Sequence, residues 1–311
     1  MTMKTGCLLL VIGLSVGPFA GLPTAQDSRP QGQQIFRSAI DVVTIQASVR
    51  DRRGRVVSGL TTNDFEVRDN GQLSPILSLR SDRQSPLSIA ILVDMSGSMN
   101  SGPKIAMARQ AYESVLAQIR EGHDEVGLFT FDAALHERRG FTRDLSPLKG
   151  ALADFEPFGS TSLFDATAAA ARHLAARSAT HKAIIVLTDG IDTSSAMTAR
   201  DVSGLASSID VPVFVVATVP ALDQRGMTEP ATRAASDAAD LRDLAEWTGG
   251  QFVFARTLME TAAAAASLID ELRQQYVLAI EAADSHEWRR LDVRVKRPST
   301  VVKARSGYFA G

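Results

Sequence analysis

Cysteine is almost absent from this chain, which has a single one in 311 residues. That residue, Cys7, lies in the N-terminal segment, so the remainder has no thiol for a disulfide, a zinc site or nucleophilic attack. An excess of charge of one sign is also missing, because the formal net charge is -2 and no long basic run occurs. Binding to nucleic acid or to anionic lipid is therefore not expected. The five histidines are scattered, without the HExxH spacing of a metalloprotease helix.

The one long apolar stretch lies at the N-terminus, within residues 1–25. An apolar run from Cys7 to about Ala20 follows a lysine, and small residues come after it. This order is typical of a secretory signal peptide with cleavage near Ala25, and the run is short for a membrane span. Pro23 stands where a small residue is usual, which leaves a retained N-terminal anchor as the alternative. We predict a secreted or periplasmic protein whose mature chain has no membrane span.

The hydrophobic pattern then changes three times along the chain. Residues 26–37 are polar with proline and glycine, which is typical of a linker. Residues 38–84 alternate apolar and polar positions between turn signals, which predicts antiparallel strands and hairpins. Residues 85–275 alternate apolar strands with amphipathic helices, which indicates an α/β unit. Residues 276–311 return to the alternating pattern of strands.

These segments predict a mixed fold class. Over 85–275 we expect a doubly wound, Rossmann-like α/β sheet of mostly parallel strands, with one of its helices at about 145–154. The β segments on either side, 38–84 and 276–311, are each too short to build a good core alone. We therefore expect them to be the two halves of one discontinuous small β-sandwich, with the α/β domain inserted between them.

A buried strand ends in a carboxylate and two hydroxyls in the stretch ILVDMSGSMN, residues 91–100. Asp94 is followed by Ser96 and Ser98, and Gly97 lets the backbone turn tightly between the two serines. The stretch lies at the carboxyl end of a strand, where open α/β sheets place their ligand sites. Taken alone, it allows three interpretations: a metal site, a nucleophile, or a polar turn that caps a helix.

Two further loops offer more oxygen ligands. Thr161 lies in the polar turn FGSTSL before a helix, and Asp189 follows the apolar strand AIIVL. In a doubly wound sheet Asp94 and Asp189 emerge at the same edge, and Thr161 can reach between them. Oxygen ligands are those that a hard cation such as Mg²⁺ prefers. A phosphoaspartyl enzyme would want a second acid two residues after Asp94, where this chain has Ser96.

Together the three loops resemble those of a known family. DMSGS matches the DxSxS motif of von Willebrand factor type A (VWA) domains, GSTSLFDA resembles the threonine loop of that family, and VLTDGID resembles its second aspartate loop. They occur in the family's order within about residues 85–275, although Ser160 stands where a glycine is common. The flanks VSGLTTNDFEVRDNGQLSPI and RRLDVRVKRPSTVVKARSGYF are similar to secreted bacterial proteins of the acidobacterial VWFA-related type.

The resemblance implies a metal-ion-dependent adhesion site (MIDAS) that holds Mg²⁺, with Mn²⁺ as the second candidate. By motif, Ser96, Ser98 and Thr161 would be direct hydroxyl ligands, while Asp94 and Asp189 would bind largely through water. Two carboxylates would balance the charge of one divalent ion, while its direct ligands would be mostly neutral. Such an ion would stay electrophilic and keep an exchangeable water, which a Glu or Asp of a partner protein can replace. The implied function is a secreted, metal-dependent protein-binding module of adhesion type, without catalysis.

Two alternatives stay open at this point. One is a structural protein whose metal only rigidifies the three loops, in which case protein oxygens fill every coordination position. The other is an Mg²⁺-dependent phosphotransfer enzyme. Asp165 and Asp192 lie in the same loops, and we interpret both as structural; a carboxylate near a helix start, such as Asp165, complements the helix dipole.

Overall fold

The computed structural model describes residues 41–81, 83–179, 181–218 and 230–309, with the backbone alone for 230–238. The predicted signal peptide and linker lie outside these described residues. In the part of the chain that is described, no helix is both long enough and apolar enough to cross a membrane.

Most of the described strands and helices follow one another in the predicted order. The described strands are β1 (Val42–Asp51), β2 (Phe65–Asp69), β3 (Gln72–Ser74), β4 (Ile76–Arg80), β5 (Leu87–Asp94), β6 (Glu125–Phe131), β7 (Leu135–Thr142), β8 (His181–Thr188), β9 (Val213–Thr218), β10 (Phe252–Ala255), β11 (Tyr276–Glu281), β12 (Trp288–Val295), β13 (Thr300–Ala304) and β14 (Gly307–Phe309). The described α-helices are α1 (Lys104–Leu116), α2 (Leu163–Ala175), α3 (Ala199–Ser208), α4 (Pro230–Trp247) and α5 (Leu258–Arg273).

A six-stranded sheet lies at the centre of the α/β region, in the order β10-β9-β8-β5-β6-β7. Its pairs are parallel except β6 with β7, which is antiparallel. Alternate side chains of β5 enter two different cores: Ile89 and Ile91 pack with α1 and α5, while Ala90 and Leu92 pack with α2, α3 and α4. An apolar strand covered on both faces is what the continuous run LSIAILV predicts. The doubly wound, mostly parallel sheet is thus confirmed.

The segments before and after the α/β region build two four-stranded sheets together. One has the order β13-β1-β11-β4 and the other β14-β12-β2-β3, so each contains strands from both segments. Apolar side chains from both sheets share one core, which includes Ile45, Phe65, Tyr276, Leu291 and Tyr308. The predicted discontinuous β-sandwich is therefore present; the domain limits at 84/85 and 275/276 stay a prediction.

Two local expectations differ from the structure. Residues 146–154 form successive turns, and the helix expected at about 145–154 is wrong. Pro147 lacks a backbone N–H and Gly150 has a positive φ of 68°, so neither suits a helix interior. Strand β7 was not predicted, because its sequence LHERRGFT is polar on both faces and its pairing with β6 is interrupted by register shifts. An irregular edge strand of this kind carries little alternation for a sequence to display.

Candidate metal centre

The Asp94 carboxylate is fixed through both of its oxygens. It ends β5, is fully buried, and accepts a hydrogen bond at Oδ1 from the backbone N–H of Ser96 at 2.9 Å. The hydroxyl of Thr188, at the end of the neighbouring strand β8, donates to Oδ2 at 2.6 Å. Burial raises the pKa of Asp94 to about 6; hydrogen bonds from Ser96 and Thr188 oppose that rise, and the charge of Asp189 adds to it. The site therefore has an unfavourable buried negative charge that a cation would relieve.

The two serine hydroxyls converge. The Oγ atoms of Ser96 and Ser98 lie 3.1 Å apart, with Ser96 fully buried and Ser98 half-buried. Ser96 has an extended backbone and makes no side-chain capping bond to the 3-10 turn that follows, and α1 begins only after Pro103. The capping interpretation therefore finds no support in the contacts of Ser96.

Backbone hydrogen bonds hold the Thr161 loop against the Asp94 loop. The N–H of Gly97 donates to the carbonyl of Gly159 at 2.9 Å, and the N–H of Phe158 donates to the carbonyl of Met95 at 2.7 Å. A Cβ on Gly97 would lie 3.3 Å from the Gly159 oxygen, so this close approach favours glycine. Thr161 itself is only 2% exposed. The sequence-predicted Thr161 loop and Asp94 loop are thus brought together.

Asp189 emerges at the same edge of the sheet as Asp94, because β5 and β8 are parallel neighbours. Its Oδ2 accepts a hydrogen bond from the ammonium of Lys104 at 3.1 Å. Its Oδ1 is buried and has no hydrogen-bond partner among the residues that the structure describes. A buried carboxylate oxygen without a partner is costly and is a place where a ligand is expected.

A third loop follows Asp189 and bonds to the Thr161 loop. The carbonyl of Thr161 accepts hydrogen bonds from the N–H groups of Thr193 and Ser194, at 2.9 and 3.0 Å. The carboxylate of Asp192 accepts from the N–H groups of Leu163 and Phe164 at the start of α2. The three loops are consequently one hydrogen-bonded unit.

Asp165 and Asp192 each bond to backbone N–H groups across this unit. Asp165 accepts from the N–H groups of Ala196 and Met197, both at 2.9 Å. Their oxygens are engaged in holding α2 and the loop after β8 together, which agrees with the structural interpretation of both residues.

Two residues of this centre were missed from the sequence. Thr188 is the last residue of an apolar strand, and its hydroxyl bond to Asp94 joins positions far apart in the chain. Lys104 is the first residue of α1. A usable signal did exist for Lys104: a cation in the first turn of a helix opposes the helix dipole, so such a lysine needs an anionic partner.

The residues that meet here fit a hard cation. The set comprises two buried carboxylates and three hydroxyl side chains, all oxygen donors, with one carboxylate oxygen unpartnered. Both oxygens of Asp94 already accept hydrogen bonds, which suits an acid that contacts the ion through water. In the described ranges no group of three or more His, Cys, Asp or Glu forms a candidate metal cluster, and this centre combines two acids with hydroxyl groups instead. An oxygen set with several neutral members suits Mg²⁺ or Mn²⁺ better than Zn²⁺.

Part of the chain also matches a known family model. Residues 89–191 match the family model described as von Willebrand factor type A domain. A comparison with curated proteins finds no match.

Solved structures with similar coordinates include the conserved hypothetical protein BatB from Bacteroides thetaiotaomicron, at 19% identity and a TM-score of 0.47 over 60% of this chain and 98% of that one. The PilB minor pilin from Streptococcus sanguinis is similar at 14% identity and a TM-score of 0.47, covering 61% of this chain and 62% of that one. The vWF domain of the type V pili tip protein Mfa5 from Porphyromonas gingivalis is similar at 24% identity and a TM-score of 0.31, covering 35% and 40%. All five predicted ligand residues lie within the stretch of this chain, residues 89–191, that matches a von Willebrand factor type A domain.

Proposed function

We propose that this protein is a metal-dependent protein-binding module of adhesion type, in which a MIDAS-bound divalent cation coordinates an acidic side chain of a partner. The observation that carries the proposal is the buried, unpartnered Oδ1 of Asp189 at the sheet edge that also presents the Ser96 and Ser98 hydroxyls. A buried carboxylate oxygen is usually satisfied within the protein, and this one is not satisfied by any described residue.

Each residue has a distinct part in holding the cation, which is Mg²⁺ or Mn²⁺. Ser96, Ser98 and Thr161 supply neutral hydroxyl ligands, so the ion keeps most of its positive charge. Asp94 and Asp189 would bind the ion largely through water, so their negative charges balance it mostly without direct contact. When bound, the ion supplies an electrophilic position that a carboxylate can fill.

The partner is a protein that offers a Glu or Asp side chain to the ion. Phe158 lies next to the site, on the Thr161 loop, and its side chain is 84% exposed. A rigid exposed aromatic beside a charged contact is a common composition for an interface centre. We therefore expect the acidic side chain of the partner to be flanked by an apolar group that packs on Phe158.

The N-terminal segment and the flanks support a proposal about where the module is located and which type of protein it belongs to. We propose that residues 1–25 direct secretion, to the periplasm or outside the cell, and that the whole chain is of the acidobacterial VWFA-related type. The protein has no catalytic role in this proposal. The alternative from another class is a structural protein whose ion is saturated by protein oxygens.

Metal binding by the purified protein is the first test. Titration calorimetry with Mn²⁺ and Mg²⁺ is expected to give one binding event for the unmodified protein and none for the Ser96→Ala/Ser98→Ala double variant. The matched control is Ser208→Ala/Ser267→Ala, because both serines are exposed on helices and bond only to a carbonyl in the preceding turn. Equal affinity in both double variants would contradict the proposed site.

Water exchange on the bound ion separates the binder from the structural alternative. Mn²⁺ with an exchangeable water enhances the relaxation of solvent protons, and a carboxylate ligand that displaces this water reduces the enhancement. We expect enhancement in the loaded protein and its reduction by a short glutamate-containing peptide. A loaded protein without enhancement would have a saturated, purely structural ion.

A further inference from the structure

Lys104 is a charged residue at the metal centre to which the proposed function gives no part. It is the first residue of α1, and its ammonium lies 3.1 Å from Oδ2 of Asp189 and 3.4 Å from the carbonyl oxygen of Ser98. The side chains of Lys104 and Asp189 are 12% and 1% exposed. The ammonium is therefore held among the same loops that carry the predicted ligands.

The position is an unfavourable one for a lysine on local grounds. The first turn of a helix has a partial positive charge, and acids, not bases, are stabilising there. The first turn of α1 has no acid, and Pro103 before it provides no side-chain cap. The contacts of Lys104 with Asp189 and Ser98 help to offset this cost, and both partners belong to the loops of the site.

Lys104 also changes the charge balance of the site. Counting only Asp94 and Asp189, a divalent cation gives a formally neutral centre, as the sequence alone indicated. With the Lys104 ammonium included, the metal-free centre carries a formal charge of -1 and the loaded centre a charge of +1. A loaded centre with excess positive charge favours an anionic ligand from outside.

We propose that Lys104 is a tethered counterion of this site: it neutralises Asp189 in the metal-free protein, weakens metal binding by competing for that carboxylate, and leaves the loaded centre positively charged toward an acidic partner. The inference rests on the proposed function. It makes Lys104 a positioning residue that sets affinity, and not a ligand of the ion.

The competition has a simple electrostatic origin. An ammonium and a divalent cation attract the same carboxylate and repel each other, and this repulsion is little screened where the groups are nearly buried. Removing the ammonium while keeping the length of the side chain should therefore strengthen metal binding. Because Asp189 then has no counterion in the metal-free state, that state should lose stability.

The experiment compares Lys104→Met, Lys104→Arg and the control Lys149→Met in the full protein. Lys149 is exposed, in the turns after β7. Mn²⁺ affinity is measured by calorimetry, and the midpoint of thermal unfolding is measured in EDTA. We expect Lys104→Met to bind Mn²⁺ about tenfold more tightly than the unmodified protein. Lys104→Arg retains the charge and should bind nearly as the unmodified protein does, and so should Lys149→Met.

In EDTA, Lys104→Met should unfold at a lower temperature, and the further change Asp189→Asn should restore the midpoint. If Asp189→Asn does not restore the midpoint, Lys104 acts through packing and the counterion role is overturned.

The outcomes also separate this inference from the proposed function. If the unmodified protein binds Mn²⁺ and Lys104→Met binds it equally or more weakly, the counterion role is wrong and the proposed function stands. If only Lys104→Met binds Mn²⁺, the counterion role holds and a native metal-dependent function does not. If neither binds, both are overturned.

Discussion

Two buried aspartates of the central sheet differ in how their oxygens are satisfied. Asp124, just before β6 at the amino edge, accepts hydrogen bonds from the backbone N–H groups of Leu87 and Arg120, at 3.0 and 2.8 Å, and from the Arg273 guanidinium at 2.6 Å. Asp189, at the carboxyl edge, has one oxygen on Lys104 and the other without a partner. The carboxylate of Asp124 is fully hydrogen-bonded within the fold, whereas one oxygen of Asp189 is left without a partner among the described residues.

Burial raises the pKa of an acid at each edge, but the net shifts are opposite. Burial raises the pKa of Asp124, but its hydrogen bonds to Arg273, Arg120 and Leu87 outweigh this and hold the pKa below its usual value. For Asp94, beside Asp189, burial prevails and the pKa rises to about 6. The comparison teaches that burial alone does not mark a functional acid; what distinguishes Asp94 from Asp124 is the lack of a cationic side chain that offsets its burial.

The largest effect is expected at the amino edge. Asp124→Ala leaves the buried N–H of Leu87, the partly buried N–H of Arg120 and the Arg273 guanidinium without their acceptor, and should cost about 3 kcal/mol in the free energy of unfolding. Urea unfolding checks this, with Asp154→Ala on an exposed turn as the control. A cost below about 1 kcal/mol would mean that Asp124 is not the structural member of the pair.

At the carboxyl edge we expect a substitution of the buried acid to raise the free energy of unfolding and not to lower it. Asp94→Asn removes a buried charge while its side-chain oxygen can still accept from the Ser96 N–H, so metal-free protein should gain about 1 kcal/mol at pH 7. The same variant should lose Mn²⁺ binding. Urea unfolding in EDTA and calorimetry measure the two quantities. A loss of stability comparable to that of Asp124→Ala would erase the distinction between the two edges.

The dependence of the free energy of unfolding on pH should also differ between Asp94 and Asp124. The pKa of Asp94 is about 6 in the folded chain and 3.8 ordinarily, so the folded state binds a proton more readily than the unfolded state. In EDTA, stability should therefore rise by about 1 kcal/mol as the pH is lowered from about 7 to about 5. The lowered pKa of Asp124 acts in the opposite direction, since its contribution is lost as the pH falls further, through its folded value. Asp94→Asn should lack the first rise; an unchanged profile in that variant would assign the rise to another group.

The smallest effect on stability is expected at Phe158. Its side chain is 84% exposed, so Phe158→Ser should change the free energy of unfolding by less than about 0.5 kcal/mol. Mn²⁺ affinity should be unchanged as well, whereas affinity for an isolated partner should fall about tenfold or more. Calorimetry measures both affinities. Weakened metal binding would place Phe158 in the support of the ion and not in the partner surface.

Local patterns were sufficient to predict much of this molecule. The continuous apolar run of β5 and the oxygens that follow it place Asp94 at a sheet edge, and the same layout at β8 places Asp189 beside it. The polar strand β7 was not predictable, because neither of its faces is uniformly apolar. Lys104 and Thr188 were also missed, since their partners lie 85 and 94 positions away in the chain. The hydrophobic periodicity of a segment indicates which of its side chains are buried. It does not indicate which distant residue forms a hydrogen bond with a polar side chain of that segment.

The insertion of the α/β domain in the β-sandwich affects how a pulling force would pass through the molecule. The chain leaves the sandwich after β4 and returns at β11, and these strands are antiparallel partners, with Arg80 opposite Val277. The α/β domain therefore has a double attachment. Asp94 lies at the far end of β5 from Leu87, about 25 Å along an eight-residue strand. Tension applied by a partner at the carboxyl edge would be divided between two cross-bonded strands, and neither would bear the load alone.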